Sequence, residues 1–581
     1  MTLCVPRAGD PATATVPVAV GVAAHLLDLV GDPATATVGW DIDWQGPLCV
    51  PLDGERAVQA ACGIMHVHGR AAGRPAPLAV DYASTVAGVL AAQGVCAALL
   101  ARAGGADVTQ VRTSVGQAAL LALAQYLAAA TADGDDPAES LPSHTGSGEG
   151  PAPAGCSFVS ADGVRFELEA LDAGRWLDFW RLLGADRADT GRGWRSFQQR
   201  FATATCVLPP ALSATVRHAS FTAVRSAADR SGATVLPVRQ DPLPPTVTPP
   251  WTLTPFPEPG GTTADRACRA AAPLAGLRVV ESARRVQGPM AGHVLRLLGA
   301  DVVRIEPPGG DPMRGIPPTA GTTSARFSAL NAGKAVTEID FTTDTGRRAV
   351  RALVSEADVF LHNWAPGKAA RLGLDAEDLR TARPGLVYAW ASGWGDALGP
   401  RPPVGTDYLV QAHSGLAAAV RPADEPPAPS LMTLTDVLGG LTCAQGVLAA
   451  LLARLRTGRG GRVDSSLYSA AALVPRRRRR PEALDRPLRT RDGYISVGPH
   501  AREQPERLAR ALGLGASAGA DAIASRARTR PTADWLPGLA AAGVAATPVC
   551  TGLADLARDP RFTPALTVGE YAAPLAPWEF S

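Results

Sequence analysis

The sequence has little charge bias, no paired cysteines and no obvious targeting or membrane segment. Lysine plus arginine number 56 against 54 aspartates and glutamates, a net charge of +2. That balance excludes a nucleic-acid binder held by bulk charge. The nine cysteines stand singly at 4, 49, 62, 96, 156, 206, 268, 443 and 550, none as CxxC. Zinc-ribbon and thioredoxin-like readings therefore fail, and the scattered set predicts reduced thiols in a cytoplasmic protein. Met1 to Asp10 lacks a basic stretch followed by an apolar one, so no signal peptide is expected. No apolar run reads as clean enough to span a bilayer. What is present is bulk: 581 residues, 46% hydrophobic and 19% charged, enough for a large core and three or four ordinary domains.

Two stretches read as linkers: Thr131 to Gly155, rich in Asp, Ser, Gly and Pro, and Asp241 to Thr263, dense in proline. Between and beyond them the chain repeats itself. Val58-Gln59-Ala60 with Gly63 returns as Val410-Gln411-Ala412 with Gly415. Gln93-Gly94-Val95 and Ala97 to Arg102 return as Gln445-Gly446-Val447 and Ala449 to Arg454. Both pairs are separated by 352 positions, as are Val111 and Val463. Fainter echoes link Asp162-Gly163 to Asp492-Gly493, and Gly232 with Pro237-Val238 to Gly543 with Pro548-Val549. The N-terminal half is thus a partial, diverged copy of the C-terminal half.

The first copy lacks the equivalent of Leu274 to Ser392, which alternates strand and helix patterns. Strands are expected at Leu277–Ser282, Ala300–Glu306, Ala335–Asp340, Asp358–His362 and Gly385–Ser392, with helices at Gly292–Leu298 and Thr345–Glu356. This spacing predicts an α/β fold with a doubly wound parallel sheet. The expected divisions are a degenerate helical repeat over 1–130, a linker over 131–155, a small α+β domain over 156–240 and a Pro-rich linker over 241–272. An α/β domain over 273–474 and a second small domain over 475–581 complete the chain.

Several motifs fall in one order across this second half. They are Leu277 to Gly315, Asn331-Ala332-Gly333-Lys334, His362-Asn363-Trp364-Ala365-Pro366-Gly367, Arg371-Leu372-Gly373, Ser392-Gly393-Trp394-Gly395, Asp407 to Gly415 and Thr433 to Asp464. Together they resemble the family III CoA-transferases, the CaiB/BaiF family, over nearly all of Leu274 to Phe580. The resemblance implies a Rossmann-like large domain, a small α+β domain and interlocked subunits. It implies CoA transfer from an acyl-CoA to a carboxylic acid, possible also between two carboxylates of one diacid. Asp436 matches the family's catalytic aspartate, whose carboxylate attacks the thioester through anhydride and aspartyl-CoA intermediates. By itself Asp436 reads as the N-cap of a helix from Val437, a role compatible with the catalytic one that the ordered motifs favour. Gln287 matches a position beside the reacting groups, or is a turn residue. Asn363, Arg371, Lys334 and Arg314 match or flank positions that hold CoA at the strand ends. CoA is then a co-substrate, and no tightly bound cofactor or metal is implied. The partners are acyl-CoA and small acids, with neither nucleic acid nor membrane, in a homodimer or an intramolecular pseudo-dimer.

Two other readings compete. The racemase branch of the family uses a histidine where Thr406 stands, and threonine cannot serve as base at neutral pH; His413 lies nearby. A non-catalytic acyl-CoA-binding scaffold would explain the degenerate first copy, in which Ser84 occupies the register of Asp436, with Asp81 three residues away. The basic run Val474 to Arg491 stands where the family has a glycine-rich loop, and reads as a solvated or phosphate-facing patch. His66 and His68 find no further metal ligands by pattern. Ser114-Val115-Gly116 is only half a nucleophile elbow. The family also continues past the equivalent of Ser581 with a segment returning to the large domain. Here that segment is either missing or supplied by the N-terminal copy.

Overall fold

The computed structural model describes residues 16–133, 156–246, 248–258, 269–477 and 484–581. Its centre is a seven-stranded sheet in the order Ala335–Glu338, Asp301–Glu306, Arg278–Ser282, Val359–His362, Val387–Ser392, Gly461–Ser466 and Trp251–Pro255. The first six are parallel, with Val359 opposite both Val279 and Val387. The inner strands are apolar because both faces are covered; Val359, Phe360 and Leu361 are fully buried. The strands and helices expected between 277 and 392 all form within two residues of their predicted ends, except that the helix expected from Gly292 starts five residues earlier, at Gln287.

The seventh strand corrects the linker reading of 241–263. Trp251–Pro255 runs antiparallel along Gly461–Ser466, with Trp251 and Phe256 buried. Prolines flank the strand and its edge position needs hydrogen bonds on one side only. The other expected linker falls mostly on 134–155, outside the described residues.

Against this sheet lies the Leu434–Thr457 helix, packed on Gln287–Leu297 on one side and on the Tyr82–Ala103 helix on another. Both long helices are apolar and long enough to cross a membrane, which corrects the expectation that no such run exists. All of the apolar window in one and 89% in the other is buried inside the fold, so burial against protein accounts for their composition.

The offset of 352 also relates individual contacts. Gln59 Oε1 accepts from Leu78 N at 2.9 Å, and Gln411 Oε1 from Ser430 N at 2.9 Å. A β-carbon on Gly94 would sit 2.5 Å from Val111 Cγ1, and one on Gly446 2.7 Å from Val463 Cγ1, so glycine is required at both close approaches. Tyr82 donates its hydroxyl to the carbonyl of Leu434, the residue 352 positions on. Around Gln110–Ser114 a three-stranded sheet forms, with Gly39–Asp43 parallel on one side and Glu579–Phe580 antiparallel on the other. The arrangement around Gly461–Ser466 has the same pattern, its antiparallel edge coming from Trp251–Pro255.

Two further three-stranded sheets carry the smaller units. One joins Ser157–Val159, Arg165–Glu169 and Thr234–Pro237; the other joins Leu488–Arg489, Tyr494–Val497 and Ala546–Pro548. In the first, Cys156 and Cys206 are disulfide-bonded, which corrects the prediction of reduced thiols throughout. Their fifty-residue separation gave no sequence signal; folding brings the Cα atoms to 6.1 Å. Cys62, Cys96 and Cys443 remain free and buried, and Cys4 and Cys268 lie outside the described residues.

Candidate active site

The Leu434–Thr457 helix begins two residues before Asp436, so Asp436 lies in its first turn and is not its N-cap. The cap is delivered from elsewhere: Asp407 Oδ1 accepts from Thr435 N at 2.6 Å, Asp436 N at 3.0 Å and Thr435 Oγ1 at 2.6 Å. Gln411, one turn further along the Asp407–Ser414 helix, steadies the other oxygen of Asp407. The orphan amides of the first turn are thereby satisfied, and the Asp436 side chain is left unengaged at the helix N-terminus. Glu55 does the same for the Tyr82–Ala103 helix, accepting from Ala83 N and Ser84 N at 2.9 and 2.8 Å. There the residue at the Asp436 position is Ser84, whose hydroxyl donates to Glu55 Oε2 at 2.6 Å.

Asp436 opens into a cleft. Thr406, Asp407, Tyr408 and Arg285 line one side; Glu169, Leu171, Arg200 and Phe201 from the first small unit line the other. Burial, then the neighbouring Asp407 carboxylate, push the Asp436 carboxyl well above the ordinary range, while Arg285 opposes them. Burial likewise brings Asp407 up to about 6, against the hydrogen bonds from Thr435 and Gln411. Thr406 Oγ1 is buried without a hydrogen-bond partner. Arg200 is clamped: Nη2 donates to Glu169 Oε2 at 3.0 Å and the guanidinium carbon lies 3.8 Å from the Phe197 ring and 4.7 Å from that of Tyr408.

The other residues singled out by sequence are dispersed. Gln287 begins a buried helix, donates Nε2 to the Ser392 carbonyl at 3.0 Å and packs against Gly439, one turn beyond Asp436. Asn363 grips the backbone of Arg284 from both ends, accepting at Oδ1 (3.0 Å) and donating from Nδ2 (2.8 Å). Arg371 follows the Val359–His362 strand and, with Arg284, crowds Lys368; desolvation and these two charges lower the Lys368 pKa. Lys368 itself lies over the Phe341 and Trp364 rings, and sequence reasoning missed it.

Lys334 is placed where a phosphate cannot reach it. Its ammonium is fully buried and donates to Glu281 Oε2 (2.7 Å), the Pro289 carbonyl (2.9 Å) and Asn331 Oδ1 (3.0 Å), with desolvation lowering its pKa to about 8. Arg314 is tied to Glu306 by two hydrogen bonds of 2.8 Å and stacks on Phe327. Lys334 and Arg314 thus both belong to an internal ion network in which Arg304 joins Glu281, Glu306 and Asp311. In the basic run, Arg476 is half-buried and donates to the carbonyls of Ser414, Ala471 and Pro242, while Arg477 is exposed; 478–483 lie outside the described residues. His413 stands between Trp394 and Tyr468, away from Asp436, and His68 is buried against Ser430 Oγ.

The family model for CoA-transferase family III matches residues 45–241 and 274–578. The chain belongs to CoA-transferase family III. The two matched segments correspond to the N-terminal copy and the C-terminal copy read from the repeat. A succinate–glutarate CoA-transferase of Agrobacterium fabrum is 32% identical over 271 residues, 42% of this chain and 68% of that one. An acetyl-CoA:oxalate CoA-transferase of Acetobacter aceti is 36% identical over 198 residues, 34% of this chain and 51% of that one. Among solved structures, a CaiB/BaiF family protein from Brucella suis is 30% identical, covers 54% of this chain and 93% of its own, and superposes with a TM-score of 0.48. As a family III member the chain is a CoA-transferase.

Proposed function

We propose that the chain transfers CoA from an acyl-CoA to a carboxylic acid with Asp436 as nucleophile, in one active site built from both halves of a single chain. One observation carries this: Asp407 takes over the helix cap, leaving the Asp436 carboxylate without a hydrogen bond among the described residues in a cleft walled by the other half.

The ionised Asp436 attacks the thioester carbonyl carbon; the C–S bond breaks and CoA departs as thiolate, leaving a mixed anhydride. The thiolate attacks the aspartyl carbon of the anhydride, releasing the donor acid and forming aspartyl-CoA. An acceptor carboxylate then displaces CoA thiolate from that thioester, giving a second anhydride. Attack of the thiolate on the acceptor's acyl carbon yields the new acyl-CoA and restores Asp436. Each attack passes through an oxyanion, and the unpartnered Thr406 hydroxyl is the available donor. Arg284, Lys368 and Arg371, beyond the ends of two parallel strands, form the cationic edge suited to the CoA phosphates. Asn363 holds the Arg284 loop in place. On this reading Lys334 and Arg314 leave the CoA-binding set and keep structural roles. Gln287 aligns the helix packed against Asp436's helix.

The N-terminal copy (1–130, with its small unit at 156–240) then stands in for a second subunit. It has no nucleophile, since Ser84 replaces Asp436, but it supplies Arg200 and Phe201 to the living cleft. Its return segment provides Trp251–Pro255 to the catalytic sheet, and the chain's own end provides Glu579–Phe580 to the first copy. The racemase reading is disfavoured because no histidine lines the cleft among the described residues. Exchange of labelled acid into acyl-CoA tests the assignment. Asp436→Asn is expected to lower it by at least about a thousandfold and to abolish a hydroxylamine-sensitive enzyme–CoA thioester. Unchanged exchange in that variant would refute the nucleophile.

A further inference from the structure

We infer that Tyr126, in the first copy, is a positioning residue for Asp436: its hydroxyl ties the start of the Leu434–Thr457 helix to the opposite wall of the cleft. The inference rests on the transferase reading of Asp436 and adds a residue that acts without touching substrate. Tyr126 lies on the Ala124–Thr131 helix with its side chain buried. Its hydroxyl donates to the Phe201 carbonyl at 3.1 Å and accepts from Thr433 N at 3.4 Å. Phe201 lines the cleft beside Arg200, and Thr433 immediately precedes the helix that carries Asp436. One hydroxyl, using its proton on one side and a lone pair on the other, therefore joins the wall that bears Arg200 to the segment that bears the nucleophile. The ring is held too. The guanidinium carbons of Arg70 and Arg326 each lie 5.9 Å from its centroid. Arg70 Nη1 also donates to the Thr203 carbonyl, two residues past Phe201, at 3.3 Å.

The same half grips the rest of this lead-in segment. Tyr82 donates to the Leu434 carbonyl at 2.9 Å, and His68 Nδ1 lies 2.8 Å from Ser430 Oγ. Three side chains of the first copy thus engage Ser430, Thr433 and Leu434, the run that delivers Asp436. The repeat itself requires none of them: at the 352-residue offset His68, Tyr82 and Tyr126 correspond to Val420, Leu434 and Arg478. The glycines and glutamines that pack the helices recur in both copies, whereas these three stand only in the copy whose nucleophile position is Ser84. A buried tyrosine needs a single partner to satisfy its hydroxyl. Here the second bond goes to the backbone of the nucleophile's own segment, and among the three only Tyr126 also reaches the facing wall. A reacting group displaced by about 1 Å loses on the order of a hundredfold in rate, so the spacing that this hydroxyl sets bears directly on attack by Asp436.

The test is Tyr126→Phe in the full chain, which keeps the ring and removes the tether. Labelled acetate, oxalate, succinate and glutarate are each exchanged into their own CoA thioesters, and the fastest pair on the wild type serves for comparison. Rates are expressed per folded chain, taken from urea unfolding. Tyr126→Phe should lower kcat roughly 10- to 100-fold and leave KM for the CoA thioester within about twofold, because the cationic edge is untouched. Thr131→Val is the control on the same helix: it removes the acceptor for Ala572 N, a 2.8 Å bond away from the cleft, and should lose stability while keeping its kcat. A kcat for Tyr126→Phe within about twofold of the wild type overturns the inference. So does a loss confined to KM, or a fall in kcat that Thr131→Val matches, since either makes the hydroxyl merely structural. Exchange absent from the wild type with all four acids would sink the transferase reading, and this inference with it, before any variant is compared.

Discussion

Asp407→Asn probes the device that frees Asp436. The wild-type carboxylate receives Thr435 N, Asp436 N and Thr435 Oγ1 on one oxygen and Gln411 Nε2 on the other. Asparagine keeps an acceptor for the first three. Its amide nitrogen, however, faces Gln411 Nε2, donor against donor. Gln411 cannot turn over without losing its own bonds to Ser430, from N at 2.9 Å and to O at 3.0 Å. One buried mismatch costs about 1–3 kcal/mol, a loss the chain can absorb and urea unfolding can measure. Alanine would strand all four donors and cost more. The electrostatic effect has the opposite value for catalysis. Asp436 must be ionised to attack, so exchange falls as pH drops through its raised pKa, and Asp407 is the second cause of that elevation after burial. With the neighbour's charge removed, Asp436 ionises more readily, and the acid limb of the kcat/KM profile should move to lower pH. Stability should also lose part of its pH dependence. Asp407 rises from 3.8 to about 6 on folding, so the native state binds its proton more tightly and stability falls as pH climbs between those values. Asparagine removes that slope. Glu55→Gln is the control: it disturbs the equivalent cap of the Tyr82–Ala103 helix and should lower stability while leaving the pH profile where it is. An acid limb in Asp407→Asn that stays put or moves upward would refute the coupling.

The two lysines set apart by the structure should separate in experiment. Lys334→Met breaks a buried ion pair and is expected to cost about 3–5 kcal/mol in unfolding, with little change in CoA affinity of the folded fraction. Lys368→Gln should leave stability within about 0.5 kcal/mol and raise the KM for CoA several-fold, more so at low salt. Native mass spectrometry should find one chain of 59.8 kDa as the active species; an obligate dimer of full-length chains would contradict the pseudo-dimer.

The sequence made five of the seven strands of the large sheet legible because each is a short run beside a helix pattern, and parallel strands covered on both faces leave that trace. The 352-residue offset was equally visible, since it is carried by glycines and glutamines that tight helix packing demands at Gly94, Gly446, Gln59 and Gln411. What escaped depends on distant partners. Trp251–Pro255 looks like a linker until Gly461–Ser466 is beside it. Lys334 looks like a phosphate ligand until Glu281 is seen 2.7 Å away. Asp436 reads as a cap because its residue type and position suit one, and only the fold shows Asp407 arriving first. Nothing in Arg-Arg announces that the second arginine sits at positive φ.

The asymmetry between the copies follows from what each must still do. Tyr82 to Ala103 is a buried wall for the Leu434–Thr457 helix, so its packing residues and its cap, Glu55, are needed whether or not it catalyses anything. Gly94 must still admit Val111 and Trp578, as Gly446 admits Val463 and Trp251. The nucleophile has no such structural duty: at its position Ser84 simply returns a hydrogen bond to Glu55, which removes the cost of a second buried carboxylate beside the first. On the proposed reading, in which the first half holds no CoA, the missing strands are likewise dispensable. Retained instead are the elements the other half lacks: the wall bearing Arg200 and Phe201, and the strand at Trp251 that closes the catalytic sheet's edge. Because each half ends in the other's sheet, neither can separate without exposing an unpaired edge strand. On the proposed reading, a chain tied this way keeps one working site and one supporting half.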